Sequence, residues 1–146
     1  MYDNRRGSYN KPTYDWNRLK TMKYSDKDGN LREQLITEDA KRVADYLGNN
    51  RTSSSQLRQF YGEVKGLELR LEKNGSNFSN IYPFILMLKP KIAYKVTRRV
   101  AQPSFKEFID TNIDIIIAEN KNGNGYKAFT DFCVFFECIV GYFPKK

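Results

Sequence analysis

From Thr37 onward the apolar residues of this chain return every three or four positions, a period that admits helices and little else. Five segments carry it. Glu38 to Leu47 present Val43, Ala44 and Leu47 on one face, with Thr37 expected as the N-cap and Gly48-Asn49-Asn50 as the stop. Ser54 to Lys73 repeat Leu57, Phe60, Tyr61, Val64, Leu67 and Leu71, and Ser53 with Gln56 reads as a capping box. Gly62 and Gly66 lie inside that helix at a cost of about 1 kcal/mol each against alanine, so close approach of another helix is expected there. Ile81 to Val100 make the third segment. Pro83 suits its first turn, and Pro90 predicts a kink near Lys89. Phe105 to Glu119 carry Phe105, Phe108, Ile109, Ile113, Ile116 and Ile117, with Ser104 and Glu107 as a second capping box. Tyr126 to Tyr142 carry Phe129, Phe132, Cys133, Phe136, Ile139 and Val140, with Phe143 continuing the spacing; Phe135 falls off this stripe and points to a second buried face or an interface. No alternating pattern of strand length and no internal repeat occurs. The expected fold is all-α. A compact five-helix bundle spans 37–146, behind an irregular basic arm at 1–36 whose tyrosines and Trp16 either stack on bases or cover the core.

A chain of 146 residues with 40% hydrophobic content builds one such bundle and one core. Its apolar runs are too short for a spanning helix of about 20 residues. The opening MYDNRRGSYN has no apolar stretch after its arginines, so no signal peptide is expected and a cytoplasmic location is. There is no histidine. That removes Ser-His and Cys-His nucleophiles and histidine acids or bases. With two cysteines, Cys133 and Cys138, no zinc cluster forms either; five residues apart on a helix, they point about 140° away from each other and read as buried apolar groups. Carboxylates are scattered, and Asn122 to Gly125 is a turn, not a phosphate cradle. No enzyme, no cofactor and no metal are expected.

The net charge of +8 favours a polyanionic partner, and its distribution is more informative than its size. Residues 36–80 nearly balance and 104–146 are slightly acidic, whereas 81–103 hold Lys89, Lys91, Lys95, Arg98 and Arg99 with no acid. On a continuous helix Lys91, Lys95, Arg98 and Arg99 fall within about a 100° arc, flanked by Tyr94. Arg58 and Lys65, seven apart, share a face of the second helix. Two readings stand: a surface for a nucleic-acid backbone, or a solvated face whose carboxylate partners sit on other helices. A membrane surface fits less well, because the helix needs its apolar side for the core.

Three blocks, in order, resemble a known family. Thr52 to Glu68, TSSSQLRQFYGEVKGLE, resembles the early helix of the small subunit of type III-A, Csm-type, CRISPR effector complexes. Leu88 to Arg99, LKPKIAYKVTRR, resembles that family's Leu-Lys-Pro-Lys-Leu-Ala-Tyr block with its basic end, and Phe129 to Phe143 resembles its phenylalanine-rich closing helix. The resemblance implies a non-catalytic helical bundle that serves antiviral defence. It would stack in several copies beside the other effector subunits and help hold guide RNA and target RNA without reading sequence. It implies RNA contact at Arg58, Lys65, Lys89, Lys91, Lys95, Arg98 and Arg99. It also implies self-association, and the apolar surplus of the last two helices and the proline bend both permit a homodimer. The alternative is a purely architectural subunit whose basic face meets acidic patches of neighbouring proteins.

Overall fold

The computed structural model describes residues 13–73, 75 and 77–144. The chain forms α1 (Trp16–Met22), a π-helical turn (Leu35–Asp39) running into α2 (Ala40–Asn49), α3 (Ser54–Lys73), α4 (Phe78–Leu86), α5 (Leu88–Thr97), α6 (Pro103–Lys121) and α7 (Gly125–Tyr142). The fold is all-α; among the described residues the only β pairing is one isolated bridge, Ser25 to Leu31. With α4 and α5 counted as one bent rod there are six helices among the described residues, not five. The sixth is α1, inside the stretch read as an arm.

The last helix is the hub. α7 packs against α2, α3, α6 and the π turn, while α5 lies on α6, α4 on α3 and α1 on α6. Its phenylalanines fill the centre: Phe108 meets Phe136 edge to face at 5.1 Å, and Phe132 lies 5.7 Å from Phe136. Such pairs add about 0.5–1.5 kcal/mol each beyond the area they bury. Phe135 is fully buried too, against Tyr24, whose hydroxyl donates to Asn112 Oδ1 at 2.6 Å. The off-stripe phenylalanine therefore marks a second buried face.

What covers that face is the segment 13–36. Leu19, Tyr24 and Leu35 are buried, and the Trp16 ring meets Tyr14 at 4.7 Å and Tyr46 at 5.9 Å. Of the two roles open to these aromatics, Trp16, Tyr14 and Tyr24 cover the core. Ion pairs fix the segment in place. Arg18 and Arg32 both reach the buried Asp39, at 3.2 and 3.6 Å, and Lys23 reaches Glu119 of α6 at 2.7 Å. Residues 1–12 of the expected arm lie outside the described residues.

Several local expectations move. The break in the third segment falls at Met87, one turn before Pro90. Pro90 thus becomes the third residue of α5, where a helix has no internal use for the missing N–H. Because α4 starts at Phe78, Pro83 lies in its interior and not its first turn. Thr37 is inside the π turn, its hydroxyl donating to Glu33 O, and caps nothing. Ser53 does cap α3, accepting from Gln56 N at 3.1 Å, but the Gln56 side chain goes elsewhere. The Ser104 box does not form: Gln102 precedes Pro103 at the start of α6, and Glu107 accepts from Tyr46 Oη. Among the described residues nothing lies within 4 Å of a Cβ placed at Gly62 or Gly66, so no close helix contact is made there. The close contacts are at Gly48, against Pro144, and at Gly125, where a Cβ would strike Asn120 and Phe78. Cys133 and Cys138 are free thiols, Cys133 buried. Among the described residues no helix is long and apolar enough to cross a membrane.

Candidate nucleic-acid interface

The seven candidate cations divide into three groups. Lys65, Lys89 and Lys91 are already paired. Lys89, second residue of α5, meets Asp114 of α6 at 2.6 Å, and Lys20 of α1 reaches the same carboxylate at 3.3 Å. Burial pushes the Asp114 carboxyl up, but the hydrogen bonds and charges of Lys89 and Lys20 together outweigh it and hold it below its ordinary range. Lys91 crosses to Glu63 of α3 at 3.2 Å. Lys65 meets Glu68 within α3 at 2.9 Å, and that hydrogen bond raises its pKa. Carboxylate partners on other helices thus exist for Lys89 and Lys91.

The second group is the end of α5. Lys95, Arg98 and Arg99 meet no carboxylate among the described residues. Arg98 instead donates to Tyr94 Oη at 2.9 Å and lies 5.6 Å from the centre of that ring, itself 61% exposed. The helix stops at Thr97; Arg98 is its cap, and Arg99 adopts a left-handed backbone with φ 63°. The single 100° arc is therefore not realised, because Arg99 leaves the helix before completing it. Arg58 stands apart as the third group. It is exposed on α3, bonds Ser54 Oγ at 3.3 Å, and borders a cleft shared with Glu137 and Val140 of α7.

One contact decides what the free cations lie beside. The Gln56 side chain donates to Val100 O and clamps the α5–α6 turn onto the start of α3. Lys95 shares a small cleft with Gln56, Gln59 and Val100. Next to it, Gln102, Pro103 and Ser104 line a cleft of about 500 Å³ together with Arg51 from the α2–α3 turn. Arg51 is not among the cations that helical spacing singles out; its signal in the sequence is a cation directly after the Gly48-Asn49-Asn50 stop. Among the described residues no group of three or more His, Cys, Asp or Glu is placed to hold a metal ion.

The family model for Csm2 of type III-A matches residues 30–145. The chain belongs to that family. It is a small subunit of a type III-A CRISPR effector. A relative from Enterococcus italicus, named CRISPR system Cms protein Csm2, is 26% identical over 117 residues, covering 73% of this chain and 81% of the relative. No solved structure matches. The matched span takes in α2 to α7 and every candidate cation of the Csm2-type bundle, whereas α1 precedes it.

Proposed function

We propose that this small subunit binds the backbones of guide RNA and target RNA in the cytoplasm, without sequence preference and without catalysis of its own. The observation that carries the reading is the unneutralised end of α5. Lys95, Arg98 and Arg99 stand together beside an exposed Tyr94, with no carboxylate among the described residues to answer them. Phosphates supply the missing charge, and Tyr94 offers a ring face to a base. Arg58 adds a contact on α3, while Lys65, Lys89 and Lys91 contribute less because their charge is already answered. The absence of histidine from the sequence supports a non-catalytic role. Self-association belongs to the same proposal, although the phenylalanines that suggested it, Phe132, Phe135 and Phe136, are buried within one chain.

The test is anisotropy of a labelled single-stranded RNA of about 40 nucleotides across a salt series. Three or four phosphate contacts predict a log–log slope of roughly −2 to −3, at about −0.7 per contact. No binding even at low salt, with stable association to another effector subunit, favours the architectural reading instead.

A further inference from the structure

Among the described residues three helices end in the same hydrogen-bond pattern, and one of the three has the residue that the pattern favours. In a Schellman ending the residue after the cap turns left-handed, and glycine is the usual occupant because a Cβ is crowded there. α6 obeys: Gly123 has φ 81°, its N–H reaching Asn120 O at 3.0 Å while Asn124 N reaches Glu119 O at 2.9 Å. α2 closes identically on Arg51, with φ 72°, Arg51 N to Gly48 O at 3.2 Å and Thr52 N to Leu47 O at 2.9 Å. α5 closes on Arg99, with φ 63°, Arg99 N to Val96 O and Val100 N to Lys95 O both at 2.9 Å. The helix dipole rewards a cation anywhere in the last turn, so it explains a nearby arginine but not one at the strained position itself. Strain of this kind persists where a side chain is used.

Both arginines serve the same end of the molecule. The Gln56 clamp holds the turn bearing Arg99 against the start of α3, which follows directly from the turn bearing Arg51. Among the described residues neither guanidinium meets a carboxylate; Glu107, in the Arg51 cleft, accepts from Tyr46. Unused hydrogen-bonding groups collect here as well. Ser104, 6% exposed, lines the Arg51 cleft; its buried hydroxyl and that of Thr52, 5% exposed and next to Arg51, have no partner among the described residues. We propose that Arg51 and Arg99 are kept in glycine positions to grip phosphates of one RNA strand crossing this end of the bundle, with Lys95 and Arg98 beside them. The inference rests on the RNA-binding reading above and adds Arg51, a residue outside the helix face that suggested it.

The experiment follows from the geometry. Glycine fits both positions better than arginine, so the double variant R51G/R99G keeps the fold while losing two charges. The full chain carrying it should melt at the wild-type temperature or about 2–4 °C above it. It should bind the 40-nucleotide RNA roughly tenfold more weakly at about 50 mM salt, with a slope shallower by about 1.4. The companion R51K/R99K, which keeps charge and strain, should stay within about threefold of wild type. Wild-type affinity and slope in R51G/R99G would overturn the proposal and leave the RNA-binding reading standing. A lowered melting temperature with an unchanged slope would overturn it too, by showing that the arginines only hold the turns. Absence of RNA binding by the wild type would sink both together.

Discussion

Residues 18–32 and 89–99 carry five cations each; among the described residues the fold pairs four of the first five with carboxylates, all but Lys27, and two of the second five. In the first stretch Arg18 and Arg32 converge on Asp39, Lys20 reaches Asp114 and Lys23 reaches Glu119. Those pairs fasten the N-terminal segment over Phe135 and Phe108. In the second stretch Lys89 and Lys91 are answered, and the last three cations meet no carboxylate among the described residues. The two stretches meet at Asp114, which receives Lys20 from one and Lys89 from the other. The difference teaches that a run of basic residues is defined by what packs alongside it. α6 lies beside both α1 and α5 and supplies carboxylates to both, but that supply ends before the turn into α6 begins.

The comparison breaks most sharply at Asp39. It is 2% exposed and holds Arg32, which is 9% exposed. Asp39→Ala leaves a buried arginine without a counter-charge and should cost about 3–5 kcal/mol in urea unfolding, with altered emission from Trp16. A loss below about 1 kcal/mol with Trp16 unmoved would mean that the triad does not hold the segment. A smaller effect belongs to pH. Asp114 and Glu119 both feel burial pushing them up, yet their lysine partners, with Asn124 at Glu119, hold them below the ordinary range. Their contribution is complete above the unfolded values near pH 4 and is lost as pH falls through the lowered folded values. Because these pairs are partly exposed, each contributes at most about 1 kcal/mol. Urea unfolding at pH 6 and pH 3 should show that loss in the wild type and a smaller one in D114N/E119Q.

Most of the bundle was legible in the sequence because its helices bury stripes at helical spacing. Val43, Leu57, Phe108 and Phe136 all face the core as their spacing requires. The N-terminal helix was not, because Leu19 is the one buried residue of seven in α1, and a single apolar contact makes no period. Phe135 did announce a second buried face, but periodicity on α7 cannot say that Tyr24 would cover it. The capping box at Ser104 failed because Gln102 and Pro103 already set the start of α6 and Tyr46 claims Glu107. Of the site, the basic residues were visible, but their pairing was not. Lys91 and Glu63 lie 28 residues apart, and Arg51 is brought to the α5 end by the Gln56 clamp and by the cleft it shares with Gln102 and Ser104.

The central claim is that unanswered charge, not basic charge as such, makes the RNA-contacting surface. The most direct measurement compares K95E/R98E/R99E with K89M/K91M in RNA anisotropy at about 50 mM salt, after circular dichroism shows both to be helical. The account predicts a loss of roughly 30-fold or more for the first and less than about threefold for the second. Equal losses, or a larger loss in K89M/K91M, would contradict it.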